Sequence, residues 1–231
     1  MSRKSKGSKG KAVVLLSGGL DSATTLYLAK AKGYRCHCLI LEYAQRHRRE
    51  VKAAEKIART AGCPWEKVRL RFPWKGSALT DRSVGVPMDR PESRLSKEIP
   101  PTYVPARNTV FLSMAAGFAE AIGARTIFIG ANAVDFSGYP DCRPSYYRAF
   151  QRAVRLGTRA GMQGEPIRIE TPLIRMTKSQ IIRLGTRLGV PYRITWSCYM
   201  GKAVPCGRCD SCFLRRKGFQ EAGVPDPAIL S

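Results

Sequence analysis

Short apolar segments alternate with stretches of helical spacing along this chain, and that alternation limits its fold more than any other feature. The first apolar segment, AVVLL at 12–16, ends in a Ser-Gly-Gly turn, and residues 22–33 then show the apolar spacing of a helix. Apolar strands separated by helices are typical of a parallel sheet covered on both faces. We therefore predict an α/β fold with a doubly wound, mostly parallel sheet. Further predicted strands lie at 36–43, near 66–72 and at 126–130, and further predicted helices near 46–61, at 108–122 and at 177–189, the last capped by Thr177.

The length of 231 residues allows one full domain and a small appendage. We predict a basic disordered arm at 1–11, the α/β domain at 12–190 and a cysteine-rich C-terminal segment at 191–231. Within the domain, residues 72–106 contain six prolines and no sustained period, which predicts a lid-like loop. A second irregular stretch, at 131–145, follows the last predicted strand, and ligands of open α/β sheets bind at the carboxyl ends of strands.

The formal charge is +23, from 40 Lys and Arg against 17 Asp and Glu. Such a charge attracts polyanions, so nucleotides, RNA or both are expected ligands. The basic residues are spread along the chain, which favours a general solubility feature over a dedicated nucleic-acid groove. No apolar run approaches the ~18 residues of a membrane span, and no secretory signal follows the basic first residues. We therefore expect a cytoplasmic protein.

The hexapeptide SGGLDS at 17–22 stands where the first predicted strand turns into a helix, a position that favours phosphate binding. Its two glycines permit close backbone approach, and its two serines add hydroxyl donors. Asp21 is a candidate ligand for a magnesium ion that bridges phosphate oxygens. The loop lacks the lysine of G-x-x-x-x-G-K-[ST] and does not match G-x-G-x-x-G, which argues against a P-loop kinase and a dinucleotide-binding enzyme. A plain tight turn is the structural alternative.

Four of the eight cysteines have the spacing of metal ligands, C-x7-C-x2-C-x2-C. Thiolates so spaced predict a structural zinc site with no open coordination position; an iron–sulfur cluster and free thiols are the alternatives. Cys36 and Cys38 point to one face of a strand and are predicted core residues, and Cys63 and Cys142 show no ligand spacing. With only two histidines, a histidine-based catalytic metal site is disfavoured. The predicted zinc ligands are Cys198, Cys206, Cys209 and Cys212.

The hexapeptide resembles the SGGxDS signature of PP-loop ATP pyrophosphatases, which cleave ATP between the α- and β-phosphates and attach AMP to a substrate oxygen. Five further segments narrow the resemblance to one family within this class. Together they resemble the 7-cyano-7-deazaguanine synthase family over residues 12–227, with alanine at 44 and 106 where we expect glycine. The segments are EYAQRHRRE at 42–50, YVPARNTVFLS at 103–113, FIGANAVDFSGYPDCRPSYYRAF at 128–150, ETPLIRMTKSQI at 170–181 and WSCYMGKAVPCGRCDSCFLRRKGFQEAG at 196–223.

The resemblance implies an ATP-dependent C–N ligase of 7-deazapurine (queuosine or archaeosine) biosynthesis. It would convert 7-carboxy-7-deazaguanine and ammonia to 7-cyano-7-deazaguanine through an adenylated acid and an adenylated amide. The implied cofactors are ATP, Mg²⁺ and Zn²⁺, the implied assembly is a homodimer, and nucleic acid is not required. Asp21, Ser22 and Lys178 are the implied catalytic residues, with Lys178 reaching the released pyrophosphate. The implied ATP-binding residues are Leu16, Ser17, Gly18, Gly19, Leu20, Asp21, Ser22, Ala23, Thr24, Arg107 and Asn108.

A guanine-like edge needs a carboxylate acceptor, and a substrate carboxylate needs a guanidinium. On that basis the candidates for substrate recognition are Asp135, Ser137, Asp141 and Arg143. Phe136 or Tyr139 is a candidate for stacking on the base, with packing as the alternative. For Lys178, Arg107, Asn108 and His47, ordinary surface, capping or structural roles stay open.

Two other function classes suit parts of the sequence. A PP-loop tRNA-modifying enzyme would suit the charge but needs RNA-binding bulk, and a zinc-ribbon nucleic-acid-binding protein would leave SGGLDS unexplained. Binding to a phosphate backbone weakens steeply as salt rises, whereas a small-molecule ligase retains its activity. If the chain is a ligase, two variants of the reaction remain as alternatives. One stops at the amide, and the other joins the acid to another amine.

Overall fold

The computed structural model describes residues 9–95, 98–133 and 138–228. Its described strands form one parallel sheet in the order β3-β2-β1-β4-β5, which confirms the predicted fold class. The last strand was not predicted, because its sequence RIE offers no apolar run. The strands are β1 (Lys11–Leu15), β2 (Arg35–Glu42), β3 (Trp65–Arg69), β4 (Thr126–Phe128) and β5 (Arg168–Glu170).

The four predicted helices are confirmed to within a few residues, whereas the other described helices, of which Pro144–Gly157 and Asp210–Ala222 are the longest, were not predicted. Thr177 caps the helix predicted at 177–189, as expected, because its hydroxyl accepts a hydrogen bond from the Gln180 backbone N–H at 3.3 Å. The described helices are α1 (Leu20–Ala31), α2 (Arg49–Thr60), α3 (Glu92–Leu95), α4 (Arg107–Ala121), α5 (Pro144–Gly157), α6 (Arg159–Met162), α7 (Lys178–Arg187) and α8 (Asp210–Ala222). None of them is long and apolar enough to cross a membrane.

Both faces of the sheet are buried, and strand β1 shows why its sequence is apolar throughout. Val14 packs with α1 and α2 on one face, in the cluster that also holds the predicted core residues Cys36 and Cys38. Val13 packs with α4 and α5 on the other face. Each fully buried large apolar side chain contributes about 1.5–3 kcal/mol, so neither face tolerates a polar substitution in the central strand.

The strand order determines where the SGGLDS loop lies in the fold. The chain proceeds from β1 outward to β3 and then returns to the other side of β1 as β4, so the order reverses between β1 and β4. A crevice opens at the carboxyl ends of two such strands, where ligands of open α/β sheets bind. The SGGLDS loop leaves β1 at this point. Gly130, beyond β4, packs so closely that a Cβ placed on it would lie 3.0 Å from the Ser22 nitrogen.

Candidate active site

The loop at residues 17–22 is held in shape by its own serines. The Ser22 hydroxyl donates to the Gly19 carbonyl oxygen at 3.1 Å. It accepts hydrogen bonds from the Ser17 backbone N–H and the Ser17 hydroxyl, at 3.2 and 3.0 Å. The N-terminus of α1 adds free N–H groups and partial positive charge, so the loop is preorganised for an anion.

Position 18 requires glycine because of its backbone conformation and because of the residues packed against it. Its φ is +89°, in the left-handed region. A Cβ placed there would lie 2.8 Å from the Ala54 nitrogen, and closer still to the Glu50 carbonyl oxygen. The first turn of α2 therefore packs directly against the loop, an approach that only glycine permits.

Lys178, the first residue of α7, meets Asp21 in the first turn of α1. Its Nζ lies 2.7 and 2.9 Å from the two carboxylate oxygens of Asp21. The side chains are 13% and 24% exposed, so solvent screens this pair only in part. The structure thus places Lys178 beside the predicted phosphate loop, and its role toward pyrophosphate stays a prediction.

An open cavity extends from the loop across the carboxyl ends of the strands. Its walls are the loop, the first turns of α2 and α4, and parts of the predicted lid segment 72–106 and of the C-terminal segment. The residues that line it and enter the arguments below are Ser17, Gly19, Asp21, Ser22, Tyr43, Glu50, Arg90, Arg107, Asn108, Tyr139 and Asp210.

The residues predicted to bind ATP divide into two groups. The first group lines the cavity and consists of Leu16, Ser17, Gly19, Asp21 and Ser22, together with Arg107 and Asn108. Leu20, Ala23 and Thr24 are instead buried behind the loop, and the Thr24 hydroxyl donates to the Leu20 carbonyl oxygen at 2.8 Å. Any contact of these three residues with a nucleotide would involve their backbone.

Arg107 and Asn108 begin α4 and both line the cavity. The Arg107 guanidinium lies 5.9 Å from the ring centres of Tyr43 and Phe111. Cation–π contacts of this kind hold the guanidinium in place without neutralising its charge. Arg107 is therefore positioned to attract an anion, whereas the Asn108 side chain is bonded to the Asp141 carbonyl oxygen at 3.3 Å.

Glycine was expected at 44 and 106, and the backbone gives the reason. Ala44 has φ of 61° and Ala106 has φ of 53°, both in the left-handed region. Residues with a Cβ pay about 1–2 kcal/mol there. Ala106 immediately precedes α4, so this strain lies next to Arg107.

The candidates for substrate recognition have different surroundings. Asp135, Phe136 and Ser137 lie outside the described residues. Tyr139 lines the cavity, and Arg143 is exposed beyond the cavity walls. One oxygen of the buried Asp141 accepts the Asn108 backbone N–H at 2.9 Å and so caps α4. This contact favours a structural role for Asp141, and the four recognition roles stay predictions.

Glu50 was not singled out from the sequence. It lines the cavity beside the loop, and within the described residues its carboxylate makes no hydrogen bond or ion pair. Burial raises the pKa of this carboxyl to about 7, Arg107 opposes the shift, and Cys198 adds to it. Its place in EYAQRHRRE, after a strand and at a helix start, was the signal that could have identified it.

The four predicted zinc ligands converge. The sulfurs of Cys198, Cys206, Cys209 and Cys212 all lie within 4.8 Å of one another, and those of Cys206 and Cys212 are 3.9 Å apart. Tetrahedral zinc with bonds of about 2.3 Å places sulfurs about 3.8 Å apart, so the donor set fits that ion. Backbone N–H groups of Met200 and Cys206 point at the Cys198 sulfur, at 3.4 and 3.3 Å.

The cysteine cluster is joined to the loop and to the predicted lid. The Trp196 backbone N–H donates to the Gly18 carbonyl oxygen at 2.9 Å. Arg90 of the predicted lid segment forms a 2.9 Å ion pair with Asp210, which follows the predicted ligand Cys209. Movement of the cluster would therefore disturb both walls of the cavity.

His47 also belongs to this junction. The Arg49 backbone N–H donates to Nδ1 at 3.3 Å, so Nε2 is assigned as the donor to the Cys198 carbonyl oxygen at 2.9 Å. Burial lowers the pKa of this imidazole, which favours the neutral form that the two contacts require. The structural role of His47 is favoured over contact with a nucleotide.

Comparison with known proteins identifies the same family that the sequence segments resemble. Residues 11–223 match the family described as queuosine biosynthesis protein QueC. The 7-cyano-7-deazaguanine synthase of Anaeromyxobacter dehalogenans (strain 2CP-C) is 56% identical over 222 residues, which are 94% of each chain. That of Nostoc punctiforme (strain ATCC 29133 / PCC 73102) is 53% identical over 224 residues, 96% of this chain and all of its own. The NMN synthetase structure from Francisella tularensis, 15% identical with a TM-score of 0.51, covers 95% of this chain and 79% of its own, and shows a shared fold.

Proposed function

The chain belongs to the QueC family of queuosine biosynthesis proteins, and we propose that it is an ATP-dependent ligase that forms 7-cyano-7-deazaguanine from 7-carboxy-7-deazaguanine and ammonia. The observation that carries the proposal is the position of the preorganised SGGLDS loop. It lies at the reversal of strand order, with Lys178 bonded to Asp21 beside it. That arrangement suits a nucleotide whose phosphates react.

The chemistry requires activation of two poor leaving groups. An oxygen of the carboxylate attacks the α-phosphate of ATP, pyrophosphate leaves, and ammonia then displaces AMP to give the amide. A second ATP adenylates the amide oxygen, and loss of AMP gives the nitrile. Donors fixed in advance at the phosphates stabilise the developing charge at little reorganisation cost.

The loop and its neighbours supply those donors. The N–H groups at the start of α1 face the triphosphate, Lys178 adds a positive charge on the pyrophosphate side, and Arg107 attracts an anion from the wall formed by α4. Asp21 would hold Mg²⁺, which neutralises phosphate charge when bound. Lys178 bonds the Asp21 carboxylate that would hold Mg²⁺, so binding of the Mg²⁺–nucleotide complex would redirect this lysine to the phosphates.

The cysteine cluster would hold a structural zinc ion. Four thiolates leave no position for water, so the ion would fix the C-terminal segment against the loop and the predicted lid. We also propose that the protein is cytoplasmic, and that it is homodimeric, as the family resemblance implies. Light scattering coupled to size-exclusion chromatography measures the assembly.

The test is mass-resolved product analysis of the purified protein with 7-carboxy-7-deazaguanine, ammonium, MgATP and no RNA. We expect the nitrile and about two AMP per turnover. Amide as the final product would identify a variant that stops halfway. Absence of AMP release would overturn the proposal and favour a PP-loop tRNA-modifying enzyme, for which added tRNA would restore ATP cleavage.

A further inference from the structure

Glu50 is an acidic side chain of the cavity wall that the proposed reaction has not used. It stands in the first turn of α2, and its backbone carbonyl packs against Gly18 of the phosphate loop. Its carboxylate makes no hydrogen bond or ion pair within the described residues. Asp21, by contrast, is bonded to Lys178 and Asp210 to Arg90.

Two groups near Glu50 have opposite effects on its charge: Arg107 favours the ionised carboxylate and Cys198 disfavours it. Arg107 faces it from α4 without forming an ion pair at 4.0 Å or less, and the Tyr43 ring stands beside that guanidinium. Cys198, in the C-terminal segment, acts on this carboxyl through its charge and raises its pKa further. Arg107, Lys178 and the loop N–H groups all suit anions, namely the phosphates of ATP and the carboxylate of the acid. Glu50 is therefore the group suited to a small cation, and ammonium is the cationic substrate of the proposed reaction.

We propose that the Glu50 carboxylate forms the ammonia site, where it binds ammonium and accepts a proton from its nitrogen as that nitrogen attacks the adenylated acid. The inference rests on the proposed function. An ammonium N–H bond breaks, and its proton moves to a Glu50 oxygen. The nitrogen lone pair forms the C–N bond, the C–O bond to phosphate breaks, and AMP leaves with that electron pair. The second excess proton passes to water.

The surroundings of Glu50 match this task. Ammonium is the dominant form at neutral pH and has no lone pair, so an acceptor must take its proton. Burial, the largest cause, raises the pKa of the carboxyl to about 7, which suits a base that works near neutral pH. Zinc on the cysteines would weaken the contribution of Cys198 but leave the effect of burial.

The test compares Glu50→Gln with wild type in two partial reactions. Exchange of pyrophosphate into ATP that depends on the acid needs no ammonia, and we expect it to stay within about twofold of wild type. Formation of amide and nitrile from ammonium should fall at least about 100-fold, the usual effect of losing a general base. Hydroxylamine is largely uncharged at neutral pH, so hydroxamate formation by the variant should stay near the wild-type rate.

The matched control is Glu55→Gln in the same helix, whose carboxylate pairs with Lys67 at 2.6 Å outside the cavity. It should leave every rate unchanged. Glu50→Asp keeps the charge and should give a reduced rate with a raised KM for ammonium, which tests the site even if the glutamine variant folds poorly.

Two results would overturn the inference. A wild-type rate with ammonium in Glu50→Gln would show that no proton acceptor is needed there. Loss of pyrophosphate exchange in folded Glu50→Gln, rescued by raised Mg²⁺, would assign Glu50 to the metal–nucleotide complex instead. Failure of the proposed function looks different, because wild-type protein itself would then show no exchange dependent on the acid.

Discussion

The Lys178 ammonium group contacts both carboxylate oxygens of Asp21, at 2.7 and 2.9 Å, although the two residues are 157 positions apart. This contact joins the start of α7 to the start of α1 at the phosphate loop. A lysine in this place can alternate between a protein carboxylate and a phosphate, because its compact charge sits on a flexible stem.

We expect Lys178→Gln to lower kcat by about 100-fold, because charge that develops on the phosphates loses a fixed partner. Exchange of pyrophosphate into ATP should fall to the same extent. The exposed Lys52→Gln in α2 is the control for the loss of one positive charge. Unchanged exchange in Lys178→Gln would remove this lysine from the phosphate chemistry.

Gly18→Ala should destabilise the fold by about 2 kcal/mol or more, since the new Cβ meets the backbone of α2 and the left-handed φ is unfavourable. Gly19→Ala is the matched control, since the nearest atom to its Cβ would be the Ser17 hydroxyl oxygen at 3.6 Å. Urea unfolding measures both variants. Equal losses at the two positions would contradict the close approach of α2.

Ala44→Gly and Ala106→Gly should each raise the free energy of unfolding, by less than about 1 kcal/mol. Relief of the left-handed strain exceeds the added flexibility of the unfolded chain by this small margin. Ala115→Gly in the middle of α4 should instead destabilise the protein. Thermal unfolding compares the three, and a loss of stability at 44 and 106 would refute the strain.

Cys206→Ser should lower bound zinc from one equivalent to well below one, and reduce stability and activity together. The other three thiolates cannot close a tetrahedral site alone. Cys36→Ala, in the core, should keep one equivalent of metal. Metal analysis by mass spectrometry separates the variants. Visible absorption from bound iron would favour the iron–sulfur alternative.

Glu50→Gln should become more stable than wild type as pH rises. The folded protein holds the Glu50 proton up to about pH 7, whereas the ordinary pKa is 4.5. Wild-type stability from this group is therefore complete below pH 4.5 and is lost as pH rises through 7. We expect the variant to gain up to about 3 kcal/mol at pH 8 and less than about 1 kcal/mol at pH 5, measured by urea unfolding. A difference independent of pH, or one shared by Glu55→Gln, would contradict the desolvation of this partly buried carboxyl.

Local features of the sequence determined the parallel α/β class, the phosphate loop and the four clustered cysteines. Each depends on residues close together in the chain: an apolar run, a strand-to-helix turn, or ligands separated by two or seven residues. Strand β5 and helices α3, α5, α6 and α8 were not predicted. The strand is short and only partly apolar, and its place in the sheet comes from pairing with β4.

Only the tertiary structure decided which side chains share the cavity. Glu50, Arg107 and Asp210 line it although they lie far apart in sequence, and no spacing rule connects them. Their meeting depends on the strand order and on the packing of α2, α4 and α8 around the loop. The same holds for Asp141, whose carboxylate suggested substrate recognition until its contact with the Asn108 N–H was seen. Local spacing specifies elements, whereas the partners of a buried charge are set by the path of the whole chain.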